Sequence, residues 1–171
     1  MGQSLNIFLG FSFDQFDVFE KELTAVIDLE DQTINMPDGV LDNLLSAALK
    51  AREVALSQVG FTFDRKVKEY SIYHYIFKKE SGEEIEFSDL RFDLQYSPSE
   101  MNDDKEHAII GFCLPGWYGP HLIDCNEDDG GGYMTIFDEK TNDIIQLFKD
   151  ELTKSFPVFA QARIIAKSIW N

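Results

Sequence analysis

The chain is short of positive charge. In 171 residues, 15 Lys and Arg stand against 31 Asp and Glu, giving a formal net charge of −16 and a pI near 4.4. A fold that grips nucleic acid presents a basic face to the phosphates, so direct nucleic-acid binding is not expected. Cysteine is scarce as well, with only Cys113 and Cys125. Two thiols do not make a disulfide framework, and they suit a reducing cytoplasm, which is the expected compartment. No uninterrupted apolar run approaches the roughly 18 residues of a membrane span, so no membrane association is expected. The first basic residue is Lys21, and the only early apolar stretch is Ile7-Phe8-Leu9, so the N-terminus reads as a strand rather than a secretory leader. Neither GxGxxG nor GxxxxGK[ST] occurs, which removes the usual signals of a parallel nucleotide-binding sheet. No cofactor or metal is called for, and no residue is assigned a catalytic role.

What is present is enough apolar material for a core. Hydrophobic residues make up 44% and aromatics 13%, too much for a disordered acidic tail. The acids are also spread along the chain: 10 acidic and 3 basic residues in 1–60, 9 and 6 in 61–100, and 12 and 6 in 101–171. The charge therefore belongs to the surface of one folded domain covering residues 1–171.

Hydrophobic spacing predicts the elements. After the first strand, Phe16, Phe19, Leu23, Val26 and Ile27 recur at helical intervals, predicting a helix over 14–28 with Asp14 as N-cap and a Phe13–Val18 staple. Glu30 to Asn35 reads as a loop, and Pro37-Asp38-Gly39 as a turn into a second helix that ends at Gly60. Leu41, Leu44, Leu45, Ala48, Ala55 and Val59 mark its apolar face. Over 61–96 the period changes to two. Tyr70, Ile72, His74 and Ile76 fall on one face of a strand over 67–79, and Tyr73, Tyr75 and Phe77 on the other, so both faces are expected to be at least partly covered. Ser81-Gly82 predicts a hairpin turn. In the following strand the apolar positions move from odd (Ile85, Phe87) to even (Leu90, Phe92, Leu94, Tyr96), which predicts a β-bulge near Ser88-Asp89. His107 to Leu114 has the continuous apolar character of an interior strand, 133–137 reads as another strand, and two helices are expected over 141–156 and 158–170. The sum is an α+β domain: an antiparallel sheet of about four to five strands with helices packed on one face.

Several constellations invite chemistry without specifying it. The acids of Asp124 to Gly130 alternate like calcium ligands, but Asp129 sits where the turning glycine belongs and Thr135 where the bidentate Glu belongs, so a solvated acidic turn is the better reading. His107, Cys113, His121 and Cys125 hold zinc-ligating atoms, yet His107 and Cys113 on one strand are about 20 Å apart, too far for one ion. A small hydrolase or metal-assisted enzyme built on His121 and Cys125, oriented by Asp124, is a competing expectation that lacks a nucleophile elbow.

The most informative cluster is Trp117-Tyr118, framed by Gly116, Gly119 and Pro120-His121 and followed by Asp124, Glu127, Asp128 and Asp129. Its structural reading is a cap on the sheet edge. Its functional reading is an aromatic anchor ringed by carboxylates that steer a basic protein, with Trp117, Tyr118, His121, Asp124, Glu127, Asp128 and Asp129 as the partner-binding set. Tyr70, Tyr73, Tyr75 and Tyr96 extend that surface or serve ordinary sheet packing. The expected function is that of an acidic inhibitor of a basic partner, most concretely a bacterial immunity protein that neutralises a toxin domain, with a nuclease as one possible target. A DNA-mimic inhibitor of a nucleic-acid enzyme is the related alternative. If the Trp117 cluster is the binding site, Trp117→Ala together with Asp128→Lys abolishes co-purification with the basic partner; an intact complex rejects that site.

Overall fold

The computed structural model describes residues 3–87, 89–96, 108–113 and 139–170. In chain order these form β1 (Gln3–Ser12), a 3-10 turn (Phe13–Gln15), α1 (Phe16–Leu23), β2 (Val26–Asp28), β3 (Thr33–Asn35), α2 (Val40–Gln58), β4 (Thr62–Glu69), β5 (Ile72–Lys78), β6 (Glu84–Phe87), β7 (Arg91–Tyr96), β8 (Ala108–Cys113), α3 (Glu139–Ser155), a second 3-10 turn (Pro157–Gln161) and β9 (Arg163–Trp170). The strands make a four-stranded sheet in the order β7-β8-β1-β9, a β2-β3 hairpin and a three-stranded sheet β4-β5-β6, all antiparallel. This is the expected α+β class, with its strands divided among three sheets.

The core forms where one face of the large sheet meets the helices. Register places Leu9 opposite Phe112 and Phe11 opposite Ile110 on β1 and β8, while Phe92 and Leu94 continue those rows on β7. Period-2 alternation turns this whole set to one side. Phe11 meets Phe19 of α1 at 5.1 Å between ring centroids and Phe159 at 5.2 Å; Phe112 meets Phe148 of α3 at 6.1 Å. Phe19 stacks on Phe92 at 5.4 Å, so rings from three strands, two helices and a 3-10 turn share one cluster. The opposite face carries Phe8 and Ile109, both also buried. Between them Gly10 faces Gly111, where the strands come so close that a Cβ on Gly10 would stand 2.1 Å from the Ile110 carbonyl oxygen and one on Gly111 2.5 Å from that of Leu9.

Four local expectations are corrected. Asp14 does not cap the first helix: it lies inside a 3-10 turn whose N-cap is Ser12, where the Gln15 side chain accepts the Ser12 N–H at 3.1 Å, and α1 itself begins at Phe16. It ends at Leu23 because Thr24 takes a left-handed conformation, and Val26 to Ile27 become part of a β2–β3 hairpin. The Asp28 carboxylate accepts the Glu30 and Asp31 N–H groups at 3.0 and 3.1 Å, closing that turn through side chain rather than through glycine. Phe13 packs on Phe16, with ring centroids 5.6 Å apart.

The strand expected over 67–79 is a hairpin of β4 and β5, turned at Tyr70-Ser71, and its coverage is far lower than the apolar count suggests. All eight β4 residues are exposed, as are Tyr70, Ile72 and Tyr73. A bulge does occur, but in β4 between Phe63 and Arg65. The parity change around 88–89 has a different cause: β6 belongs to the small sheet and β7 to the large one, so each apolar set meets the shared core from its own sheet. Finally, the segment expected as a helix over 158–170 is a 3-10 turn followed by β9, which pairs with β1 from Gln3↔Trp170 to Gly10↔Arg163. β-Branched Ile164, Ile165 and Ile169 favour that outcome once a partner edge is available. The expected strand over 133–137 lies outside the described residues.

The Gly10–Gly111 approach yields a stability test. Gly111→Ala forces backbone against backbone and lowers the unfolding free energy by about 2 kcal/mol or more, read from urea or thermal melts; a neutral substitution contradicts the close approach.

Candidate functional site

The described surface is electrically divided. Residues 13–42 hold nine acidic side chains and one basic, Lys21. They lie on consecutive short elements, and Asp17 and Glu22 of α1, Glu30 and Asp31 of the β2–β3 turn, and Asp38 and Asp42 at the start of α2 are all exposed. Asp28 closes the hairpin turn, and Asp14 lies 3.7 Å from Arg163 at the start of β9. Asp17 in the first turn of α1 and Asp42 in that of α2 also complement the positive helix ends. The remaining carboxylates contribute a negative field over this face.

Opposite in sign is the segment 62–79, with five Lys and Arg against two acids. On β4, Arg65 spans to Asp64 at 2.6 Å and to Glu84 of β6 at 3.1 Å; these hydrogen bonds, Glu84 first, raise the Arg65 pKa. Lys66 lies 4.0 Å from the Tyr73 ring centroid and Lys68 5.6 Å from it, so the ammonium groups lie against the aromatic faces. His74 Nδ1 and Glu86 Oε1 are 2.6 Å apart across β5 and β6.

Arg52 joins this sheet to the helical layer. It sits within the apolar face of α2, flanked by Ala48, Ala51, Ala55 and Leu56, and is 3% exposed. Its guanidinium carbon lies 5.0 Å from the Phe87 ring centroid, 5.4 Å from that of Tyr75 and 6.0 Å from that of Phe77. Burial pushes its pKa down from the ordinary guanidinium range to about 10, against the opposing pull of Tyr75 and Asp89. It therefore stays cationic at neutral pH, held by ring quadrupoles where water is excluded. The small alanines around it leave room for the long side chain to reach the rings. Sequence reading placed Ala48 and Ala55 on this face but missed Arg52; the signal available was an arginine in register with an apolar stripe. Leu41, expected on the same face, is exposed.

The partner-binding set expected from sequence, Trp117, Tyr118, His121, Asp124, Glu127, Asp128 and Asp129, lies outside the described residues, as do His107 and Cys125 of the zinc and nucleophile readings. Cys113 occupies the end of β8, in register with Phe8 and Arg91. Among the described residues no three His, Cys, Asp or Glu side chains are grouped as metal ligands. The cations near the C-terminus have separate settings: Lys154 pairs with Glu151 at 2.6 Å in the last turn of α3, while Arg163 and Lys167 belong to β9. No helix of the described residues is long and apolar enough to cross a membrane.

Arg52 gives a two-part test. Arg52→Ala leaves a cavity under three rings and costs about 2–4 kcal/mol, whereas Arg52→Met, which fills the space without a buried charge, is neutral or stabilising. Because the folded state holds the proton less tightly than the unfolded chain, wild type gains stability relative to Arg52→Met as pH rises above about 10. Denaturant melts of the three proteins across that range check both statements; a loss of wild-type stability relative to Arg52→Met would reverse the sign. Comparisons of the chain with protein-family models, curated proteins and solved structures found no match.

Proposed function

We propose that the chain is a stoichiometric, non-catalytic inhibitor that binds a basic protein through its acidic surface, in the manner of a bacterial immunity protein neutralising a toxin domain. The observation that carries this reading is the exposed run of carboxylates on α1, the β2–β3 turn and the start of α2, within a segment whose charges are nine acidic to one basic. Like charges gathered on consecutive elements repel one another and add no packing. Their field accelerates encounter with a cationic partner and rejects other acidic proteins. The cluster from Trp117 to Asp129 supplies the aromatic anchor in the same proposal, because charge steers association while desolvated Trp and Tyr side chains hold the complex. The reading carries a cytoplasmic location, in keeping with two cysteines in the whole sequence.

The experiment is a binding assay between the full chain and the basic product of a neighbouring gene, by surface kinetics and by inhibition of that product's activity. The expected result is a one-to-one complex whose association rate falls about tenfold between roughly 50 and 300 mM salt. Asp17→Lys, Glu22→Lys and Asp31→Lys together slow association by at least a similar factor without shifting the melting temperature by more than a few degrees, since all three side chains are exposed. Association indifferent to both salt and charge reversal rejects the acidic face as the steering surface. Failure to inhibit any basic neighbour rejects the function.

A further inference from the structure

The second open surface lies on β4. Every one of its eight residues is exposed, and among the described residues no strand pairs with its outer edge. Tyr70 and Ser71, with φ of 50° and 68°, make a two-residue turn of the kind that matches strand twist. The pair closing such a turn, here Glu69 and Ile72, exchanges both backbone hydrogen bonds. Alternation then commits Val67 to the β5 ladder and turns the N–H and C=O of Lys66 and Lys68 towards the open edge. The same two residues place their ammonium groups beside Tyr73, while Arg65 on the same strand is held by Asp64 and Glu84. Phe63, Val67 and Ile72 are 48%, 38% and 50% exposed, and Tyr70 at the tip is 91% exposed. Backbone donors and acceptors, cations and apolar side chains thus alternate along one accessible line.

We propose that the outer edge of β4 is a strand-addition site for an acidic, extended segment of a partner protein. Main-chain hydrogen bonds to Lys66 and Lys68 supply register, and alternate side chains of the added strand meet the cations and the exposed apolar groups. Charge selects the occupant: β4 carries Arg65, Lys66 and Lys68 against Asp64 and Glu69 and ties Arg65 to Asp64 and Glu84, so Lys66 and Lys68 present the selecting charge within a chain of net charge −16. A second copy of β4 would set Arg65, Lys66 and Lys68 against their own equivalents in parallel register, or Lys66 against Lys68 in an antiparallel pair centred on Val67, and like charges across a strand pair are destabilising. Nucleic acid or an anionic bilayer would bring many negative charges within about 10 Å of the acidic body, whereas a short strand confines its carboxylates to the hairpin. The site is separate from the acidic face and takes a partner of opposite charge.

The test uses the full chain and a fluorescein-labelled peptide of about eight residues alternating Glu and Val. Fluorescence anisotropy is expected to show saturable binding that weakens about tenfold between roughly 50 and 300 mM salt. A Lys–Val peptide of equal length does not bind, and the Glu–Val peptide N-methylated at every residue, which has no N–H to donate, binds at least about tenfold more weakly. Lys66→Glu with Lys68→Glu abolishes binding; because both side chains are exposed the variant folds, which far-UV circular dichroism verifies. The Asp17→Lys, Glu22→Lys, Asp31→Lys variant keeps binding, so this site and the acidic face succeed or fail independently. The proposal is overturned by no binding of the Glu–Val peptide, by equal binding of its N-methylated form, or by tighter binding of oligo-dT or phosphatidylserine–phosphatidylcholine vesicles. Binding that survives Lys66→Glu with Lys68→Glu overturns it equally.

Discussion

The rest of the fold depends on how β1 and β8 meet. Their close approach at Gly10 and Gly111 fixes the register that puts Leu9, Phe11, Ile110 and Phe112 on one side. Upon that platform rest rings from α1, α3, β7 and the Pro157–Gln161 turn. A fully buried Phe contributes roughly 2–3 kcal/mol by area, and an edge or offset ring pair adds about 1 kcal/mol. A slip of one residue would send the same rings to the other face and detach both helices at once. This explains why glycine occupies both sides of the narrowest point: any side chain there would separate the strands on which the cluster stands.

Burial and charge are distributed by the same architecture. The large sheet and its helices hold the apolar core, so acids are free to occupy the short exposed elements after β1. The small sheet is only half committed to the core. Its Phe77, Ile85 and Phe87 are buried, and Arg52 extends from α2 to lie among three of its rings. Further along the hairpin, Tyr73 is 37% exposed and accompanied by Lys66 and Lys68 in place of a helix. Cation–π contact thereby continues from the interior to the surface along one face of β5. Among the described residues the outcome is two unlike exposed regions, one acidic and broad, the other a strand edge that carries Lys66 and Lys68.

Elements set by neighbouring residues were legible. The α2 boundaries followed from Gly39 and Gly60, both with positive φ; the β5–β6 turn followed from Gly82; and the apolar run at 108–113 proved to be an interior strand. Misreadings arose where two periodicities overlapped or where a distant partner decided. Val26 and Ile27 continue the helical spacing of Phe16, Phe19 and Leu23, yet Thr24 ends the helix. Tyr70-Ser71 lacks the glycine or asparagine that usually announces a two-residue turn. Arg52 resembled a surface residue because its partners are aromatic rings from strands more than twenty positions away.

By itself the sequence determined the α+β class, the acidic surface, the two long helices and the glycine turns, because these rest on composition and on interactions within a few residues. Tertiary structure decided the rest. Residues 163–170 are a strand because β1 offers them an edge, and the parity change near Asp89 marks a passage between two sheets that meet one shared core from different sides. The division is physical: local propensity differs among conformations by less than about 1 kcal/mol per residue, and long-range pairing and burial exceed that wherever a partner is present.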